Sequence, residues 1–478
     1  MFVRFIKKSS WLVVTGITLI ILCAMVNLNI SPIGKVNLLL NDNINVSLYI
    51  CLSLFIGFLL YRIKNNKYFL LALFFTALII RVIWVLNIHS VPVSDFMQMY
   101  NGAQDILNGN IDALRGSEYF QTWVYQLGFT FFQYIIISIL GNSIVVLKLV
   151  NAIITSCIPI VIYLICNTLK NGKSARVPAL IYCFYITSIA MTSVLTNQHL
   201  STLLIYFGLY LLISKEKYFI SIIYVGVIIS LGNIIRPEGI IVIIAIVLFL
   251  IFKDFENIKR PKNFLKYNIL KPMIIVIIYL ITSTMVSGAF KLSGYTDYSL
   301  SNREPYWKFV VGLNNKHMGL WNSEDGDLVN RYPLGEKRDD YEKQLILDRL
   351  KDKHEVINLF NKKFRYMWTK NDFGSLAFSL NYKGASNHLM KLLLKIEKVQ
   401  FIIIVSLAFL SVIISVFRKI KFGYYHLFMI ILIGYVLSHL VLEVQTRYRY
   451  FIIPTLVILS IETISSINKC ENDYKLDN

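Results

Sequence analysis

The chain has 478 residues, 56% hydrophobic and only 16% charged, with a mean hydropathy of +0.59. Soluble globular proteins run at about 45–50% apolar and about 25% charged, which sets aside a soluble enzyme, a disordered tail and a disulfide scaffold. The formal net charge of +20 would suggest nucleic acid in a soluble protein, but between apolar spans positive residues record membrane orientation, and no nucleic-acid partner is expected.

The apolar residues come in blocks of about 20, the length a helix needs to cross a bilayer. Arg4, Lys7 and Lys8 precede WLVVTGITLIILCAMVNL, which is longer than a signal-peptide core and lacks a clear small-x-small cleavage site. It reads as an uncleaved first span. Further spans are expected near 47–61, 69–88, 144–167, 177–195, 199–213, 218–235, 239–252, 272–289, 399–417, 424–441 and 451–466, twelve in all. Cys23, Cys51, Cys157, Cys166 and Cys183 lie in apolar blocks and Cys470 in the tail, with neither a disulfide framework nor a metal-ligand spacing.

Residues 124–140 (VYQLGFTFFQYIIISIL) decide the topology. If they cross, every later loop flips sides. If they lie along the outer surface, the basic loops all fall inside: Arg62, Lys64 and Lys67; Lys170, Lys173 and Arg176; Lys215 and Lys217; Lys253, Lys259, Arg260, Lys262, Lys266 and Lys271; Arg418, Lys419 and Lys421. The outer segments then hold little beyond Lys35, Arg115, Arg236, Arg447 and Arg449. That asymmetry favours an interfacial or re-entrant helix at 124–140, with both termini cytoplasmic; the Ile-, Lys- and Asn-rich composition suggests, by association, a bacterial plasma membrane.

The expected fold is therefore an all-α integral membrane protein. An N-terminal bundle, 1–289, carries a first outer loop, 89–143; an extracytoplasmic loop or small helical domain spans 290–395; C-terminal crossings and a short tail fill 396–478. The large loop contains Tyr306, Trp307, Trp321, Tyr332, Tyr366 and Trp368, so it is no disordered linker. Leu347, Leu350, Val356, Ile357, Phe360 and Phe364 approach helical spacing, which suggests a helical cap on the membrane surface.

Charge at the end of a span tends to have a partner or a job, and four polar clusters share one side. In VPVSDFMQMYNGAQDILNGN, Ser94 or Asp95 either starts a surface helix running through Tyr100 or supplies a catalytic carboxylate. Thr196-Asn197-Gln198-His199 is either an ordinary turn or a polar site. Arg236 and Glu238 flank Pro237 and either pair with one another or face a substrate. Glu443-Val444-Gln445-Thr446-Arg447-Tyr448-Arg449-Tyr450 runs against the positive-inside trend. Its arginine forks suit phosphate oxygens, while headgroup anchoring is the alternative. Arg81, mid-span, needs an internal partner. The turn Gly319 to Asp327, with Trp321 and Asp325, lacks the full ligand pattern of a calcium loop. No Gly-rich phosphate loop, zinc spacing or serine elbow is present. A divalent metal stays open as a cofactor, without a ligand pattern to support it.

Taken together, these stretches resemble the GT-C glycosyltransferases, in particular the bacterial group related to protein O-mannosyltransferases and lipid A aminoarabinose transferases. The resemblance rests on Arg81 before "PVSDFMQMYNGAQDILNGN", on "LGNSIVVLKLVNAI", "IIRPEGIIVIIA" and "EVQTRYRYFIIPTLVIL", and on "GLNNKHMGLWNSEDGD" and "NKKFRYMW" in the large loop, and it covers most of the chain. It implies transfer of a sugar, with inversion, from a polyprenyl-phosphate donor to an extracytoplasmic glycan, lipid or protein. Asp95 matches the family's first-loop acid and would be the base; Arg447, Arg449 and Arg236 would bind donor phosphate. Tyr100, Asn197, Gln198, His199, Glu238, Glu443 and Tyr448 are candidate substrate contacts, with Arg81, Trp321 and Asp325 as further candidates. Many relatives carry two acids where this chain has Ser94-Asp95-Phe96, and often an acid where it has Asn197, Gln198 and His199. The alternatives are a transporter or flippase, which would place ionisable groups at the midplane, and a polymerase or ligase of lipid-linked glycans.

Overall fold

Backbone polar groups in hydrocarbon must be satisfied within their own segment, which makes the helix the default for each apolar block. A computed structural model of the chain describes residues 2–30, 40–214, 219–253 and 260–467. Among these the regular structure is helical, and the one pairing of extended chain is an isolated antiparallel bridge between Trp123 and Asn302. The expected positions Lys35, Lys215, Lys217, Lys259 and Cys470 lie outside the described residues.

Eight of the twelve expected crossings run as helices long and apolar enough for a bilayer: Ser9–Ile30, Ile44–Arg62, Asn66–Asn87, Ile144–Leu169, Phe264–Leu292, Asn387–Phe417, Tyr424–Val441 and Thr446–Ile467. Three others are shorter apolar helices, Gln198–Ser214, Ile220–Ile235 and Gly239–Lys253.

The expected continuous span 177–195 is instead two short helices, Arg176–Cys183 and Ile186–Met191. Residues 182–199 are all buried, and irregular backbone is tolerated at membrane depth where protein surrounds it. Neighbouring side chains satisfy the break. Gln400 donates to the Phe184 carbonyl at 2.7 Å and accepts from the Ile186 amide at 2.8 Å. The Tyr49 hydroxyl also donates to Phe184 O, at 2.6 Å. Arg81 donates to Cys183 O at 3.3 Å and to the Ser188 hydroxyl at 3.0 Å, which is the internal partnership its mid-span position requires.

Residues 124–140 form the helix Leu127–Leu140 after one tight turn. It runs alongside Asp95–Leu107 in the same direction, with Phe96 and Met99 packed near Phe129, and Tyr100 and Ala103 near Ile137. Gln126, before its start, accepts from Asn197 at 3.0 Å, and Asn142, after its end, accepts from Gln104 at 3.3 Å.

The large loop folds as five short helices, Trp307–Gly312, Ser323–Val329, Glu336–Arg349, Lys353–Thr369 and Phe373–Ser379. Trp307, Val310, Val311 and Val329 form a small core with Trp123, Tyr341, Leu345 and Ile346 around it. The single stripe expected from Leu347 to Phe364 is broken between Arg349 and Lys353, and Leu347, Leu350 and Ile357 are exposed. Leu359, Lys363 and Met367, spaced by one turn each, are the buried face instead. Lys363 donates to Gly312 O, Leu440 O and Leu442 O at 2.6, 2.6 and 2.7 Å, pinning the loop domain to the end of helix Tyr424–Val441. Gly312 makes that approach feasible: a Cβ there would lie 2.3 Å from the Val441 carbonyl oxygen. Helix Asn387–Phe417 runs unbroken from the loop into the membrane part.

Candidate active site

Three distant stretches meet at the polar end of the bundle around a cavity of about 270 Å³. The first loop contributes Ser94, Asp95, Tyr119, Trp123, Tyr125 and Gln126. The loop domain contributes Trp307, Lys308, Trp321 and Phe378, and the entry to the last span contributes Glu443, Gln445 and Arg447. Backbone bonds fix the seam: Arg303 N–H donates to Thr122 O at 3.0 Å, Glu443 N–H to Lys308 O at 2.9 Å and Val444 N–H to Gly319 O at 3.0 Å.

Asp95 is the first residue of the helix Asp95–Leu107, so its carboxylate faces the positive end of the helix dipole. Ser94 occupies the capping position but makes no side-chain cap, and its φ of 52° is a left-handed conformation that a non-glycine residue rarely adopts. Such strain clusters at functional sites. Among the described residues the Asp95 carboxylate has neither a hydrogen bond nor an ion pair, although it is half-buried.

Arg447 is buried, with its guanidinium 5.3 Å from the Phe96 ring, 4.8 Å from Phe378 and 5.6 Å from Tyr448. Its Nε has no partner and, among the described residues, no carboxylate pairs with it. Glu443, in contrast, is ion-paired with Lys308 and accepts from Gln445 at 2.6 Å. Burial alone would raise its carboxyl, but the Lys308 charge and the bonds from Lys308 and Gln445 outweigh it and hold Glu443 below its usual value. Burial, reinforced by the Asp95 charge, pushes the Tyr119 phenol up, so it stays protonated; its hydroxyl is buried without a partner.

The remaining expected residues support this cavity from behind or lie elsewhere. Arg236 donates to Glu238 at 2.9 Å and to Asn197 at 3.0 Å, and lies 5.5 Å from the Tyr448 ring. Burial pushes the Glu238 carboxyl up against the pull of Arg236. Gln198 donates to the Arg447 carbonyl at 3.2 Å. His199 bonds the Tyr450 hydroxyl at 2.8 Å and Met191 O at 2.9 Å. Arg449 pairs with Glu397 at 3.2 Å, both fully buried. Tyr100 meets Gln104 at 2.9 Å on the far side of its helix. Asp325 accepts from Arg349 at 2.5 Å and from Asn314 and Asn322, inside the loop domain. Lys308, Trp307, Tyr119, Trp123, Tyr125, Gln126 and Phe378 were not anticipated as cavity residues, and Gln445 lay in the fourth polar cluster without an assigned role. Aromatic residues in otherwise polar stretches were the available signal for Trp123 and Tyr125.

Among the described residues no group of three or more His, Cys, Asp or Glu side chains is placed to hold a metal ion. Asp95 and Glu443 are the cavity's two carboxylates, and Lys308 already occupies Glu443.

These features define a multi-pass membrane protein with a charged, aromatic-lined cavity at one end of its helices. Residues 127–285 match the model of the family described as dolichyl-phosphate-mannose-protein mannosyltransferase. That match, with the all-α membrane fold, supports a membrane glycosyltransferase of the GT-C type, a class that works with a lipid-linked sugar donor and an acceptor. The matched stretch includes Asn197, Arg236 and Glu238 but neither Asp95 nor Arg447. No curated protein and no solved structure matched the chain.

Proposed function

We propose that this glycosyltransferase moves a sugar from a polyprenyl-phosphate donor to an extracytoplasmic acceptor, with inversion, at the cavity between Asp95 and Arg447. The observation that carries the reading is that these two opposite charges line one cavity, each without an ionic partner among the described residues. An unpaired buried charge is costly, and a donor phosphate and an acceptor hydroxyl would relieve both.

Asp95 takes the proton of the acceptor hydroxyl as its oxygen attacks the anomeric carbon. The bond from that carbon to the phosphate oxygen breaks, and the lipid phosphate departs with the electron pair. A phosphodiester leaving group needs no strong acid, so charge stabilisation by Arg447 suffices. Lys308 neutralises Glu443 and keeps a second negative charge away from the arriving phosphate. Arg236, Asn197 and Gln198 hold the Arg447 segment and Gln126 in place. The outer-face assignment is supported by the opposite end of the bundle: Arg62, Lys64, Lys67, Lys170 and Arg176 gather there, with Arg176 bonded to Tyr61 O at 2.9 Å and to the Asn66 side chain at 2.7 Å.

Isolated membranes carrying wild type or Asp95→Asn at matched expression, given a radiolabelled polyprenyl-phosphate hexose, test this. Label leaves the lipid in wild type and stays on it in the variant. Equal loss from both removes Asp95 from the chemistry, and no loss from any of several hexose donors removes the donor class.

A further inference from the structure

Half of the chain's six tryptophans line this one cavity. They form a gradient: Trp307 is 6% exposed, Trp123 half-buried, and Trp321 62% exposed. Trp321 is therefore the rim. Its aromatic face is left open directly beside the polar cavity it lines.

The rim is also held still. Trp321 follows a turn in which Met318 and Gly319 both adopt positive φ, 55° and 71°. Gly319 O accepts from Val444 N–H at 3.0 Å, and Asn322 caps the next helix through the Asp325 amide at 2.8 Å. The tryptophan is thus presented by a braced turn tied to the Arg447 segment.

The cavity's four charged groups are accounted for, and the rest are neutral donors and acceptors. Glu443 and Lys308 cancel, and Asp95 and Arg447 are committed to the reaction. That leaves Gln126, Gln445, Tyr125 and the unpartnered Tyr119 hydroxyl. A flat aromatic face beside neutral hydrogen-bonding groups suits a pyranose ring, whose C–H face stacks while its hydroxyls bond at the edge.

We propose that the acceptor is itself a carbohydrate, a sugar residue of an envelope glycan stacked on Trp321 with one hydroxyl directed at Asp95. This rests on the transferase reading above and adds the acceptor class to it. The bond formed is then glycosidic, from acceptor-sugar oxygen to donor anomeric carbon, with the proton on Asp95 and the lipid phosphate released.

The test uses the full-length protein in membranes with radiolabelled polyprenyl-phosphate mannose and glucose. It offers two acceptors: envelope polysaccharide stripped of protein by protease, and peptides from the same envelope. Label is expected in protease-resistant, periodate-sensitive material. Trp321→Ala is expected to raise the KM for the polysaccharide about tenfold, Trp321→Tyr much less, and both to leave the donor KM in place. Because Trp321 is exposed, an unchanged unfolding midpoint separates this from misfolding. Label in the peptides and not in the polysaccharide overturns the carbohydrate acceptor, and a polysaccharide KM indifferent to Trp321→Ala overturns its stacking on Trp321; neither touches the transferase reading. Donor consumption absent from wild type overturns the transferase reading and this inference with it.

Discussion

Arg447 and Arg449 are two residues apart and keep different company: Arg447 lines the cavity over aromatic rings, whereas Arg449 is locked to Glu397 at 3.2 Å with neither side chain exposed. On the function proposed above, the pair separates catalysis from stability. Arg447→Ala should lower kcat by about 10²–10³-fold, as for removal of one preorganised charge-stabilising group, while the unfolding midpoint in detergent stays near wild type. Arg449→Leu should cost about 3–5 kcal/mol by stranding Glu397, and Arg449→Met with Glu397→Leu should recover much of it. Transfer assays and thermal unfolding of the same preparations check both.

Glu342 lies wholly inside the loop domain, with neither carboxyl oxygen partnered. Burial, then the charges of Glu304 and Asp339, push it up to about 8. Its folded value exceeds its unfolded one, so the folded state holds the proton more tightly, and stability falls as pH rises from about 4.3 towards 8. Glu342→Gln should therefore unfold later than wild type at pH 8 and above, with the difference shrinking towards pH 5. Thermal melts across that range read it.

Gly312 admits the chain end of helix Tyr424–Val441 with no room to spare. Gly312→Ala should push residues 441–443 away, since its Cβ would meet the Val441 oxygen at 2.3 Å and the Leu442 carbonyl carbon at 2.3 Å. Because Glu443 and Arg447 follow directly, transfer activity should fall at least as steeply as stability. Comparing kcat with the unfolding midpoint shows whether it does.

Gln400 holds both sides of the break at Phe184. Gln400→Leu leaves the Ile186 amide without a partner, while Phe184 O keeps the Tyr49 hydroxyl. The expected loss is about 1–3 kcal/mol for one orphaned buried group, and Gln400→Leu with Tyr49→Phe should lose more than the two single changes combined. Unfolding midpoints of the three variants test the coupling.

The polar end of the bundle was legible because charge is conspicuous beside apolar blocks: Asp95, Arg447 and Glu443 could be read directly. Which of two nearby arginines faces the cavity could not, because Glu397 sits in another helix and sequence carries no pairing between them. Lys308 was invisible for the same reason, one lysine among many in a polar loop. The break at Phe184 escaped because hydropathy measures burial, not helicity, and no Pro or Gly marks it. The loop stripe failed because its burial is set by Lys363 reaching three carbonyls, so a lysine sits where an apolar residue was expected.

The seam between Thr122, Lys308 and Glu443 also has a consequence in time. Asp95 emerges early in synthesis, but the cavity acquires Glu443 and Arg447 only when the last crossing is made. A chain that stops short of Glu443 presents the acid without its counter-charge. On the function proposed above, such a chain would lack the charge that holds a donor phosphate, and it would not consume lipid-linked sugar before it is complete.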